Sequence, residues 1–192
     1  ISKKKSISVV YCGDGSVEEG VFYESINFAA TKNIPVLFVC ENNSYSVYSP
    51  LSVRQPEGRK IHEMVKGMGV DSAYEDGNDI RKVYRLTKRA ISKIYETGNP
   101  FFMELQTYRW REHCGPNYDN NIGYRSEEEF LEWKKRDPIK LFEKKLLKEK
   151  ICTKGEIRRI NKEVLGQIKE AFNFAKSSPF PDPSEAFESM FA

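Results

Sequence analysis

Residues 6–47 read SISVVYCGDGSVEEGVFYESINFAATKNIPVLFVCENNSYSV, and the order of signals within them decides the fold. The run at 7–11 (ISVVY) is β-branched and aromatic and stops at Gly13, as a buried strand ending in a tight turn does. From 17 to 32 the apolar residues Val21, Phe22, Ile26, Ala29 and Ala30 recur at helical spacing. Glu18 and Glu19 fall in the first turn expected of that helix, where its dipole favours acids. Pro35 precedes a second continuous apolar run, 36–40 (VLFVC), which stops at Glu41-Asn42-Asn43. Strand, helix and strand at this spacing form a βαβ unit, with a right-handed crossover in a parallel sheet. Continuous apolar character in both strands implies an α/β fold whose sheet carries helices on both faces.

Beyond this unit, 44–60 reads as a loop rich in Ser, Tyr and Pro, and 61–68 as a helix. A short strand is expected at 70–74. A helix follows over 79–97, capped by Asn78 or Asp79 and stopped by Gly98-Asn99-Pro100. The run 101–105 (FFMEL) reads as another buried strand, followed by a polar segment at 106–124. Helices are expected at 126–136, 138–149 and 154–177, then an irregular tail, SSPFPDP. Ser126-x-x-Glu129 and Thr153-x-x-Glu156 both match the capping box. No internal repeat or low-complexity tract is present. The organisation expected is an α/β domain over 1–125 and a helical extension over 126–192, packed on that domain or on a partner.

Composition narrows the class. At 192 residues, with 39% hydrophobic and 12% aromatic residues, the chain can bury a globular core. Its net charge of +3, from 31 basic and 28 acidic residues, lacks the basic excess of a nucleic-acid binder. Lys134-Lys135-Arg136 and Lys144-Lys145 are surrounded by acids and read as solvated helix faces. Cys12, Cys40, Cys114 and Cys152 are scattered, which argues against a disulfide framework or zinc site and for reduced thiols in the cytoplasm. No apolar run approaches the ~20 residues of a membrane span, and ISKKKSISVV lacks the apolar stretch of a signal peptide. Because Ile1 leads almost directly into a strand, the chain reads as a piece of a longer protein, its α/β domain lacking an N-terminal part.

The chemistry-bearing residues sit at the two strand ends. Gly13-Asp14-Gly15 ends the first strand, and Asn42-Asn43 ends the second after 26 intervening residues. Ligands of open parallel sheets bind outside the carboxyl ends of strands, so both elements are expected to face one crevice. Mg²⁺ takes about six oxygen ligands near ~2.1 Å and prefers sites completed by phosphate. Asp14 offers a carboxylate, Asn43 an amide oxygen, and the backbone beyond it a carbonyl. The glycines let the backbone approach a diphosphate, and the amides of Gly15 and Ser16, at a helix N-terminus, suit its oxygens. Gly-Asp-Gly alone is ordinary turn chemistry, and Asn-Asn after a strand is common; the ordered combination is the specific signal. Neither G-x-x-x-x-G-K-[ST] nor G-x-G-x-x-G occurs, which disfavours a nucleotide-binding protein.

This stretch resembles the thiamine-diphosphate signature, which opens with GDG and closes with NN. Its internal Gly20, Glu24, Asn27, Ala29, Ala30 and Pro35, with Glu41-Asn42-Asn43-x-Tyr45, are similar to the alpha subunits of pyruvate, branched-chain and acetoin dehydrogenase components. Downstream, Asp76-Gly77-Asn78-Asp79, Pro100, Met103-Glu104-Leu105-Gln106-Thr107-Tyr108-Arg109, Tyr124-Arg125 and Asp137-Pro138-Ile139 continue the likeness, which covers about residues 6–178. The resemblance implies thiamine diphosphate and Mg²⁺ as cofactors. It implies Asp14, the Asn43 side chain and the Tyr45 main-chain oxygen as metal ligands, and Gly15 and Ser16 on the diphosphate. His113 takes the place of a family histidine near cofactor and substrate, where imidazole can move a proton near neutral pH. Read without the family, His113 is a polar loop histidine, His62 a structural one, and Arg109 either an anion partner or a loop salt-bridge residue.

The activity implied is decarboxylation of a 2-oxo acid with transfer of the acyl or aldehyde unit. The partner implied is a beta-type subunit supplying the activating glutamate, in an alpha2-beta2 assembly that a lipoyl acyltransferase could join. The loop departs from the family's Arg-x-x-Gly-His-Ser: here residues 111–117 read Arg-Glu-His-Cys-Gly-Pro-Asn, and Cys114 replaces the serine that mitochondrial members phosphorylate. The acyl donor and acceptor therefore stay unnamed. A related carboligase outside a dehydrogenase complex is a second reading, and a non-catalytic α/β assembly module a third.

Overall fold

The computed structural model describes residues 6–188; the outermost residues of the two expected segments, 1–5 and 189–192, lie outside the described residues. Strand β1 (Ser8–Gly13) runs into a 3-10 turn at Asp14–Glu18 and then helix α1 (Gly20–Lys32). Strand β2 (Val36–Asn42) follows, then a small hairpin of β3 (Tyr45–Ser46) and β4 (Ser49–Pro50) and a single helical turn, α2 (Leu51–Arg54). Helix α3 (Ile61–Gly67), strand β5 (Asp71–Asp76), helix α4 (Ile80–Thr97) and strand β6 (Phe101–Gln106) complete the sheet region. Helices α5 (Glu127–Lys135), α6 (Pro138–Lys148) and α7 (Lys154–Ser177) come after a long irregular segment.

The four long strands form one parallel sheet in the order β1-β2-β6-β5. Its two central strands show why their sequences are apolar throughout. Val36, Phe38 and Cys40 of β2 pack with Phe22 and Ile26 of α1 and with Ile61 and Val65 of α3. Leu37 and Val39 point the other way, joining Phe101, Met103 and Leu105 of β6 against Leu86, Ala90 and Ile94 of α4. Alternation with a period of two, on a sheet covered on both sides, makes every position apolar.

Most of the capping signals are realised. Asp79 caps α4, accepting the N–H groups of Arg81 at 3.0 Å and Lys82 at 3.2 Å. Gly98 closes that helix in the left-handed region, φ 76°, where a side chain would be strained. Thr153 and Glu156 form the full reciprocal box of α7. At α5 only half of the box forms, since Ser126 accepts the Glu129 N–H while the Glu129 carboxylate takes the Tyr45 hydroxyl.

Three expectations need correction. Strand β1 is not buried: it lies at the sheet edge, with β2 its one neighbour among the described residues, and Val9, Val10 and Tyr11 are exposed. The α-helix starts at Gly20 rather than near 17, because Glu18 is drawn aside by Arg54 and Gln55. The segment 44–60 is not simply a loop, since it contains the β3–β4 hairpin and α2. Residues 1–142 form one compact unit and 143–192 another. Helix α5 belongs to the first unit because Phe130 is buried there and Asn78 Nδ2 donates to the Arg136 carbonyl at 3.1 Å.

Candidate cofactor site

The parallel pairing of β1 with β2 sets Gly13 opposite Glu41, so the turns after both strands open at the same end of the sheet. Asp14, 1% exposed, begins the 3-10 turn, and its Oδ1 accepts the Asn43 N–H at 3.1 Å. The Asn43 side-chain oxygen accepts the Tyr45 N–H at 3.0 Å, which turns the chain sharply and keeps the amide on the cleft side. Tyr45 pairs with Pro50, which has no N–H to give, so the hairpin partner lays no claim to the Tyr45 carbonyl.

These residues share a cleft of about 400 Å³ lined by Gly13, Asp14, Gly15, Ser16, Asn43, Tyr45, Arg109 and His113, with Glu19, Ser46 and Val47. Every residue singled out in the sequence for metal, cofactor or proton transfer therefore borders one space. His113 is exposed at its edge. His62 is elsewhere, with its ring nitrogen Nδ1 2.6 Å from Glu104. Gly15 and Ser16 lie within the 3-10 turn, not at the start of α1, so their amides rather than a long helix dipole face the cleft.

Local backbone geometry is under tension here. Ser44 and Val47 both adopt left-handed conformations, φ 67° and 53°. For the β-branched Val47 this costs energy, and such residues cluster where function over-determines the backbone. The hydrogen bond from Leu51 N to Ser44 O, 2.8 Å, helps hold the loop in that shape.

Beneath the loop lies a carboxylate that motif reading passed over. Glu104, on β6, is buried and accepts Asn42 Nδ2 at 2.8 Å and the His62 N–H at 2.9 Å. Asn42 in turn accepts the Ser44 N–H at 3.0 Å, so Glu104 sets the Asn pair from below. An acid inside the apolar run FFMEL was a visible signal, because a charge in a buried strand needs a partner. Arg54 was also missed. It pairs with Asp14 and Glu18 and donates through Nε to the Ser49 carbonyl at 3.1 Å. No local pattern announces it, since the contact depends on how the hairpin folds.

The 107–125 segment is stitched rather than loose. Arg109 donates to the Val47 carbonyl at 2.8 Å, the Tyr124 hydroxyl at 3.1 Å and the Arg111 carbonyl at 3.1 Å, so it is both a cleft wall and a loop tie. Arg125, wholly buried, pairs with Asp119 and reaches the Arg109 carbonyl. The departure from the family pattern forms its own closure. Glu112 N donates to Asn117 O at 3.0 Å, and Glu112 Oε1 accepts Asn117 Nδ2 at 2.8 Å, pinching the His113-Cys114-Gly115-Pro116 tip. Burial raises the Tyr45 hydroxyl pKa, and its hydrogen bond to Glu129, 2.7 Å, adds to that.

The residues suit a hard cation joined to a diphosphate: one buried carboxylate, one amide oxygen and one carbonyl outside its hairpin pairing. Among the described residues no three His, Cys, Asp or Glu side chains gather as a metal cluster. Of the two acids that line this cleft only Asp14 is buried, and a Mg²⁺ site with so few carboxylates is of the kind that phosphate oxygens complete.

Open parallel α/β sheets take their ligands in the crevice outside the carboxyl ends of the strands, which is where this chain brings an acid and an amide together. More specifically, the chain belongs to the dehydrogenase E1 component family, whose model matches residues 1–184. It is similar to the pyruvate dehydrogenase E1 component subunit alpha of Rickettsia felis, 32% identical over 186 residues, 97% of this chain and 56% of that protein. The corresponding subunit of Staphylococcus aureus is 32% identical over 179 residues, 91% of this chain and 48% of that one. The chloroplastic alpha-3 subunit of Arabidopsis thaliana is 31% identical over 186 residues, 97% and 42%. The chain spans about half the length of the curated relatives it matches.

Proposed function

We propose that this chain is part of the alpha subunit of a thiamine-diphosphate- and Mg²⁺-dependent enzyme that decarboxylates a 2-oxo acid and passes on the acyl or aldehyde unit. The observation that carries the reading is the meeting of Asp14 and Asn43 across two adjacent strand ends, 3.1 Å apart at Oδ1 and N. A pure assembly module gives no reason for an acid, an amide and a glycine-bearing turn to line one strand-end cleft. The names of the relatives, pyruvate dehydrogenase alpha subunits, support the same chemistry.

In this reading Asp14, the Asn43 amide oxygen and the Tyr45 carbonyl hold Mg²⁺, which anchors the diphosphate. The amides of Gly15 and Ser16 bind its free oxygens. Bound thiamine diphosphate supplies the nucleophilic carbon and the electron sink for loss of carbon dioxide. His113, at the cleft edge, donates or accepts a proton near the reacting groups. Arg109 keeps that wall closed, and the Glu112–Asn117 closure fixes the tip that carries His113. A beta-type subunit provides the glutamate that activates the cofactor, in an alpha2-beta2 assembly, and a lipoyl acyltransferase fits as acyl acceptor. The cytoplasm, where the four free thiols stay reduced, is the compartment we assign; no described helix is long and apolar enough to cross a membrane.

The test is calorimetry of thiamine diphosphate with Mg²⁺ on the full-length alpha subunit assembled with its beta partner. Asp14→Ala and Asn43→Ala are each expected to abolish measurable binding. Unchanged binding in both variants rejects the ligand assignment.

A further inference from the structure

Asp14 poses a problem that the metal reading does not solve. A carboxylate this buried needs a counter-charge whether or not a metal is bound, because an uncompensated charge in the interior is costly. The compensating group is Arg54, whose own side chain is 9% exposed. Its Nη2 pairs with Asp14 Oδ2, its Nη1 with Glu18 Oε1, and its Nε with the Ser49 carbonyl. Glu18 Oε1 also accepts Gln55 Nε2 at 3.0 Å, so it is fixed independently of Arg54.

The two oxygens of Asp14 are thus both engaged. Oδ1 holds the Asn43 N–H, and Oδ2 holds the guanidinium. A divalent cation entering from the cleft competes with Arg54 for the same carboxylate, and the two positive charges repel at such a distance. Arg54 also has somewhere to stay, since Asp14 lines the cleft and Glu18 does not.

We infer that Arg54 is a place-holding cation: it neutralises Asp14 before the metal arrives and yields that carboxylate on loading, remaining tied to Glu18 and Ser49. The inference rests on the metal reading proposed above and adds a residue that competes with the metal rather than ligating it. It makes loading an exchange of one cation for another, so the strand-end turn is charge-balanced in both states. Glu18 acts at a distance as a positioning residue, because it sets how readily Arg54 lets go.

The experiment is Mn²⁺ titration followed by electron paramagnetic resonance, with thiamine diphosphate present, on the full-length subunit assembled with its partner. Arg54→Gln is expected to bind Mn²⁺ roughly tenfold more tightly than the parent, since one competing unit charge is gone. Glu18→Gln is expected to bind it more weakly, because Asp14 is then the one carboxylate that Arg54 keeps. In the Arg54→Gln background, Glu18→Gln is expected to have little further effect, a coupling that a general loss of negative charge does not produce. Metal-free Arg54→Gln is expected to melt lower than the parent and to recover most of the gap in saturating Mg²⁺. Two results overturn the inference: looser or unchanged Mn²⁺ binding in Arg54→Gln, or unchanged or tighter binding in Glu18→Gln. The second arm stands alone if Arg54→Gln does not fold. A parent protein that binds no Mn²⁺ defeats the metal reading and this inference together. Binding by the parent that neither variant alters defeats only the role of Arg54.

Discussion

Ser46 lies so close to Gly15 that a methyl group there would stand 2.6 Å from its Oγ and 2.8 Å from its Cβ. The hydroxyl can rotate away; the Cβ is fixed to the hairpin backbone. Gly15→Ala is therefore expected to lower stability by about 1–3 kcal/mol through overpacking, and to weaken diphosphate binding by shifting the turn. Pairing it with Ser46→Gly should restore most of the stability, read as the urea midpoint. If the double variant is no better than the single one, the contact is not the cause. Tyr108 offers a pH test. Its buried hydroxyl makes no well-formed hydrogen bond among the described residues, and burial pushes its pKa up to about 12, partly opposed by the charge of the Arg125 guanidinium and a weak approach of that group to the hydroxyl. The folded form thus holds the phenol proton more tightly than the unfolded chain does, so its contribution is complete below the ordinary tyrosine value of 10.0 and is lost as pH rises toward 12. Tyr108→Phe is expected to match the parent within about 1 kcal/mol at pH 7, since no good bond is removed. It should lose less stability than the parent between pH 10 and 12 in urea titrations; parallel loss in both proteins would count against this account. At this scale the sequence revealed Asp14 and Asn43, whose residue types and spacing are local facts. It did not reveal Arg54, whose partner is 40 residues away through a hairpin that only tertiary packing defines.

Strand β1 shows where element-level reading stops. Its run SVVYCG has the composition of an inner strand, and periodicity cannot tell an inner strand from an edge one with the same residues. Position in the sheet decides burial, and position is a property of pairing: β2 lies between β1 and β6, whereas β1 has one described neighbour. The consequence is measurable. Tyr11, 68% exposed, should accept lysine in this 192-residue chain at a cost within about 0.5 kcal/mol. Phe38, on the neighbouring strand and 6% exposed, should cost about 3–5 kcal/mol when cut to alanine. Equal losses in chemical denaturation would mean that β1 is covered on its free side. The helices were more legible, because caps write their ends into the chain: Asp79 and Gly98 bound α4, and Thr153 with Glu156 opens α7. The start of α1 escaped that reading for the converse reason. Glu19 makes no capping hydrogen bond with its side chain, and the preceding turn is shaped by the distant Arg54 and Gln55.

Stability across the whole molecule is expected to be uneven, and the two compact units differ in kind. Within residues 1–142, β2 and β6 bury side chains on both faces, and their amides sit inside a parallel ladder. Opening either strand exposes both halves of the core, so exchange there requires close to global unfolding. Within residues 143–192, α7 is 24 residues long and has no buried side chain among its described residues; Ile160, Val164, Leu165, Ile168 and Phe172 are all exposed. A helix without buried contacts is held by propensity, by its capping box and by i,i+4 pairs such as Arg159 with Glu163, which together supply little free energy. Native-state hydrogen exchange on this chain should therefore protect β2 and β6 amides at least roughly a hundredfold more than those of α7. Thr153→Ala should lower α7 protection further, by about 1 kcal/mol at most of its amides, while leaving the strands untouched. Protection of α7 equal to that of β6 would show that its apolar stripe is covered by packing, and the separation into a cored unit and an uncored one would fail.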